Sequence, residues 1–244
     1  MIKKLLFVAV TFFLAATALG QTNLQLHYDY GRRYYGNDLK DRPEVTLTFE
    51  DRTNFDFGIS SYFYLDANLS NNRMVGAYTE VSVDKSIFKF PVSAHIEYNG
   101  GLQTNLKGIN GYAYNDAYLG GLAFHGGESG NTFTMQCLYR YMTNHPSEKS
   151  SFQVTALWNY YLFNGFVSFN GFMDVWRDKE VEGDVVFLTE PQLWFNLYAL
   201  IEGLNLSVGG EMEVSYNYLK FTDGSRVKEN RLGVCPTIAA KWTF

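Results

Sequence analysis

Beyond residue 20 the chain has no long hydrophobic run. A helix that crosses a bilayer needs about 20 consecutive apolar residues, so the rest of this 244-residue sequence does not read as a helical membrane protein. Cysteine is almost absent. Cys137 and Cys235 fall in separate predicted strands, have no metal-ligand spacing, and read as unpaired wall residues. Histidine is limited to four positions, and no metal or other cofactor is expected. Basic charge is also short, with 20 Lys and Arg against 25 Asp and Glu, a formal net charge of −5. No basic stripe exists, which excludes a nucleic-acid surface. No Pro/Ser-rich linker divides the chain, so it reads as one domain.

Aromatics are plentiful: 17% of the chain, 18 Tyr and 20 Phe. The mean hydropathy is nevertheless −0.17. A transmembrane β-barrel reconciles the two, because lipid-facing and lumen-facing residues alternate and each strand averages to a mild hydropathy. Residues 1–20 carry Lys3 and Lys4, an apolar run from Leu5 to Leu14, and small residues at Ala18-Leu19-Gly20. This is the pattern of a secretory signal peptide, with cleavage near Gly20/Gln21 and a mature domain of 21–244. The run is short for a retained span. The other end alternates to the last residue. Phe244, Trp242, Ala240, Ile238 and Pro236 share one face, and Thr243, Lys241, Ala239 and Thr237 the other. Such an ending suits the closing strand of an outer-membrane barrel, and its terminal aromatic resembles the signal read by barrel-assembly machinery.

Twelve period-two segments follow: 24–30, 44–50, 57–66, 77–84, 92–98, 112–122, 132–141, 152–162, 166–176, 185–197, 204–218 and 233–244. Connections after odd segments are mostly longer and more polar, as in barrels with long outer loops and tight periplasmic turns. The expected fold is all-β, a transmembrane antiparallel β-barrel of 12 strands and monomeric, with 10 or 14 strands also compatible. A secreted β-sandwich explains neither the terminal strand nor the aromatics on the apolar parity.

Parity then assigns the lumen. The inward set is Ser60, Tyr62, Tyr64 and Asp66; Tyr78, Glu80 and Ser82; Ser93, His95 and Glu97; Asp116 and Tyr118; Gln136 and Arg140. It continues with Ser168, Asn170, Phe172, Asp174 and Trp176; Glu190, Gln192, Trp194 and Asn196; and Ser207, Glu211, Glu213, Ser215 and Asn217. The lumen is thus acidic and rich in Tyr and Trp, with Arg140 and Lys241 its clearest strand-borne cations. Either these form a polar plug, or the lining passes a neutral or cationic polar solute with a flat ring, stacked on aromatics and hydrogen-bonded to carboxylates.

Several segments carry a resemblance: Phe57-Gly58-Ile59-Ser60-Ser61-Tyr62-Phe63-Tyr64-Leu65-Asp66, Tyr78-Thr79-Glu80-Val81-Ser82, Phe169-Asn170-Gly171-Phe172-Met173-Asp174, Glu190-Pro191-Gln192-Leu193-Trp194 and the closing strand 236–244. In this order they resemble the Tsx-like nucleoside-specific channels of the outer membrane. Val83-Asp84 stands after Ser82 where that family has Pro and a basic residue, which marks a divergent branch. The resemblance implies a narrow twelve-stranded pore, nucleoside permeation, and lumen-site roles for Tyr64, Asp66, Glu80, Phe172, Asp174, Glu190 and Gln192. Expected partners are outer-membrane lipid, the assembly machinery, and a small solute of nucleoside type. The expected location is the outer membrane of a Gram-negative bacterium.

An enzyme is not expected. Barrel hydrolases need a nucleophile–base pair. His27 and His95 have inward parity, His145 lies in a connection, and His125-Gly126-Gly127-Glu128-Ser129 reads as a turn with no Ser evidently paired to its histidine. Tyr34, Tyr35 and 222–230 read as solvated loop.

Overall fold

The computed structural model describes residues 20–71, 73–87, 90–104, 111–113, 116–128, 130–143, 145–223, 226–228 and 231–244. The proposed leader lies outside these, except for Gly20. No helix among the described residues is long and apolar enough to cross a membrane; the chain crosses with strands.

Twelve antiparallel strands form one closed sheet. They are β1 Gly20–Asp29, β2 Val45–Phe55, β3 Ile59–Ser70, β4 Arg73–Ser86, β5 Val92–Thr104 and β6 Ala117–Glu128. Next come β7 Asn131–Met142, β8 Ser150–Leu162, β9 Val167–Arg177, β10 in two pieces (Val185–Thr189 and Gln192–Asn196), β11 Leu206–Tyr216 and β12 Leu232–Thr243. Each strand pairs with its sequence neighbours, and β12 returns to β1 through Leu24↔Trp242 and Tyr28↔Ile238. Closure leaves no edge with unpaired N–H and C=O groups, the condition for a sheet in hydrocarbon.

The distribution of side chains identifies the solvent. Leu26, Ile96, Leu122, Phe152, Leu193, Val208 and Ile238 are exposed, whereas Gln25, His27, Ser93, His95, Gln153, Asn196 and Ser207 are buried. In water that order would be reversed. It fits an outer face against lipid and a polar interior. Exposed aromatics collect at both rims: Phe57, Phe90 and Phe163 at the end that holds both termini, and Tyr118, Tyr141 and Phe152 at the other.

The turns on the terminal side are tight where the sequence allows left-handed backbone. Phe163, Asn164 and Gly165 all have positive φ. The opposite side mostly carries the longer connections, as expected, although only two residues join β3 to β4 there and nine join β10 to β11 on the terminal side. The first outer connection (30–44) folds into a helix, α1 Gly31–Tyr35, and a 3₁₀ turn, Gly36–Leu39. The last forms a small hairpin, Phe221–Asp223 with Arg226–Lys228.

One expectation fails in β6. The strand begins later than the predicted segment 112–122: it runs from Ala117 to Glu128, with Gly111–Ala113 pairing β5 ahead of it. Tyr118 is half-exposed on the outer wall, and Asp116 accepts a hydrogen bond from Tyr98 on that wall at 2.9 Å, so neither lies in the lumen. The inward residues here are Ala117, Leu119, Leu138 and Met142, a buried apolar cluster. Where the inner face is itself apolar, polarity no longer separates the faces.

Candidate functional site

Strands place every second side chain on one face, so i and i+2 pairs meet inside the barrel. Tyr64 donates to Asp66 at 2.7 Å, and Tyr78 donates to Glu80 at 2.8 Å. Thr48, opposite Asp66, donates to its other oxygen at 2.5 Å. Tyr62 stacks on Tyr64 with ring centroids 6.4 Å apart, and the Arg52 guanidinium lies 5.4 Å over the Tyr62 ring. Along β5, Asn99 donates to Glu97 at 2.9 Å, while His95 bridges Glu97 and Asp84, each at 3.0 Å.

The facing wall is built the same way. Thr155 donates to Asp174 at 2.5 Å. Gln192 takes hydrogen bonds from Asn170 and Trp194, each 3.0 Å, and donates to Glu211 at 3.2 Å. Phe172 and Trp176 pack with Val186 and Leu188 as an apolar patch on the inner wall. Residues Asp66, Glu80, Asp174, Glu190 and Glu211 are all partly accessible although they point inward; the Glu211 side chain keeps 19% exposure.

The cations are not spent on these carboxylates. Arg140 donates to Gln153 and lies 4.9 Å over the Trp176 ring. Lys241 sits 4.2 Å over Trp194. Among the described residues, no Arg or Lys forms an ion pair with Asp66, Glu80, Asp174, Glu190 or Glu211; His27 lies 3.6 Å from Glu211. Glu97 instead has His95, and Glu213 has Arg42 at 2.8 Å.

Sequence reasoning missed Arg52, which lies beyond the predicted segment 44–50 but on β2, with its guanidinium over the inward Tyr62 ring, and it missed Arg42. Arg42 stands in a loop without periodicity, yet its guanidinium enters the barrel and also contacts Asp29 at 2.7 and 3.0 Å. Burial opposes its charge, but Glu213 and Asp29 outweigh that and hold its pKa well above the ordinary range. The available signal was indirect: two inward carboxylates near the outer rim with no strand-borne cation.

Of the other candidates, Tyr62, Tyr64, Asp66, Tyr78, Glu80, Glu97, Arg140, Phe172, Asp174, Trp176, Gln192, Trp194, Glu211 and Glu213 share the strand face of the buried polar side chains, and Glu190 stands at the break in β10. Asp66, Glu190 and Glu211, from β3, β10 and β11, lie close enough to act on one another electrostatically, as do Glu80 and Asp174 from β4 and β9. Cys235 faces in and is buried, Cys137 faces out and is exposed, and both are free. Tyr35 is not solvated loop; it packs on Phe221 with centroids 5.0 Å apart. His125 belongs to β6 rather than a turn, and it does meet a serine: Ser93 Oγ lies 2.8 Å from its Nε2, with Thr134 Oγ1 3.1 Å from its Nδ1. A threonine hydroxyl in the third place cannot stabilise an imidazolium as a carboxylate does.

Outward apolar side chains, aromatic rims and an acidic, aromatic interior define an outer-membrane β-barrel of the porin-like fold. The chain belongs to the DUF5020 family, a domain of unknown function, which matches residues 21–244. No curated protein sequence matches it. Similar solved structures include the KdgM porin, 10% identical with a TM-score of 0.50, covering 92% of this chain and 99% of that one. The KdgM porin in complex with disordered oligogalacturonate is 11% identical with a TM-score of 0.49, over 92% and 99%. LpxR from Salmonella typhimurium is 8% identical with a TM-score of 0.46, over 92% and 100%. At these identities the likeness is one of fold.

Proposed function

We propose that this barrel is a passive outer-membrane channel for small polar solutes, neutral or cationic, with nucleosides as the favoured class. The observation that carries the reading is the set of inward carboxylates that, among the described residues, form no ion pair with Arg or Lys. Such a lining draws cations and hydrogen-bond donors and repels phosphates and sulfates. The tyrosines beside Asp66 and Glu80 offer flat faces for a ring. The nucleoside preference rests on these faces and on the resemblance to Tsx-like channels. Insertion through the assembly machinery rests on the terminal aromatic strand. The test is swelling of liposomes that carry the purified protein, with nucleosides and neutral sugars as osmolytes. Swelling with nucleosides is expected; no flux above empty liposomes for any solute would end the proposal.

A second reading is a plugged structural or adhesive barrel. The entry of Arg42 and its loop into the outer mouth favours it. Planar-bilayer recording separates the two, because a folded protein that never passes current is a plug.

A further inference from the structure

The first outer connection, residues 30–44, folds over the lumen rather than away from it. Leu39 is buried against Cys235 and Phe221, with Tyr35 and Leu219 alongside. Cys235 points inward from β12, so the segment that covers it lies inside the barrel outline. The Tyr35 hydroxyl accepts from the Val234 backbone N–H at 2.9 Å. Asp38 pairs with Arg231, whose guanidinium lies 4.3 Å over Phe221 and 5.2 Å over Tyr35. Arg42 closes the arrangement by holding Asp29 on β1 and Glu213 on β11. These two carboxylates flank β12 on either side.

We propose that residues 30–44 form an autoinhibitory strap across the outer mouth, with Arg42 as a tethered planar cation held by Asp29 and Glu213. A soluble cation of the same shape competes for these carboxylates and frees the strap. Held, the strap covers the β11–β12–β1 sector; freed, it uncovers Cys235 and widens the path. The consequence for permeation rests on the channel reading, but the strap itself does not.

Cys235 reports strap position without any transport measurement, since Cys137 lies on the lipid face. Its rate of modification by a water-soluble methanethiosulfonate is measured in the folded barrel in detergent, alongside bilayer recording. Three preparations are compared: the native protein, the native protein with millimolar guanidinium against sodium at equal ionic strength, and Arg42→Ala. Arg42→Ala should label at least about tenfold faster, the scale of losing one of its two charge-assisted contacts. Guanidinium should accelerate labelling of the native protein and leave Arg42→Ala unchanged. Equal rates in the native protein and Arg42→Ala, or guanidinium no more effective than sodium, overturn the strap. Should Arg42→Ala fail to fold, the guanidinium comparison on the native protein decides alone. If labelling responds as expected but no preparation passes current, the channel reading falls and the strap stands.

Discussion

A carboxylate inside this barrel is defined by what stands beside it. Asp66 and Glu80 are held by tyrosine and threonine hydroxyls, whereas Glu213 is neutralised by a guanidinium. Hydroxyl donors satisfy hydrogen bonds but bring no counter-charge to Asp66 and Glu80. Replacing Glu190 with Gln, or Asp66 with Asn, should lower the cation-to-anion permeability ratio about twofold or more. That is the effect of removing an interaction of about 0.5 kcal/mol across water. The reversal potential under a salt gradient reads it, and an unchanged potential for both variants would show that these carboxylates do not line the path. Most of these residues were legible from alternation, because i and i+2 side chains must share a face. Arg42 was not, because a loop residue has no parity and its direction is set only when the loop folds back.

Among the elements, β10 shows how one strand tolerates a break. Pro191 has no N–H to give, and Gly171 stands opposite it with φ of 152°. A Cβ on Gly171 would lie 2.4 Å from the Glu190 carbonyl oxygen. Gly171→Ala should therefore cost about 1–3 kcal/mol, seen as a lower urea midpoint for the folded barrel. Gly120, where the nearest atom is at 3.8 Å, should accept Ala within about 0.5 kcal/mol. Strand β6 tests the corrected parity. Leu122 faces lipid, so Leu122→Lys should destabilise the barrel by about 2–4 kcal/mol if it lies near mid-bilayer. A variant of native stability with altered conductance would instead place Leu122 in the lumen. The sequence misled here because Leu119 and Leu138 are apolar and inward, which removes the contrast that parity reads.

At the scale of the whole molecule, stability depends on closure. Trp242 pairs with Leu24 on one side and Leu206 on the other, and Thr243 pairs with Asn23. Deleting residues 242–244 should leave the β12–β1 seam open and abolish the compact, heat-modifiable species on semi-native electrophoresis; a compact barrel without them would show that the seam closes by other contacts. The twelve crossings, the lipid face of the closing strand and the acidic interior were all determined by local alternation, since a strand's side chains have a period of two whatever their partners. Only the tertiary structure decided which carboxylates are met by hydroxyls and which by Arg42, where the apolar inner patches fall, and that the first outer loop enters the mouth. Those features depend on residues distant in sequence, Asp29 with Glu213 and Leu39 with Phe221 and Cys235, and only the closed barrel brings such residues together.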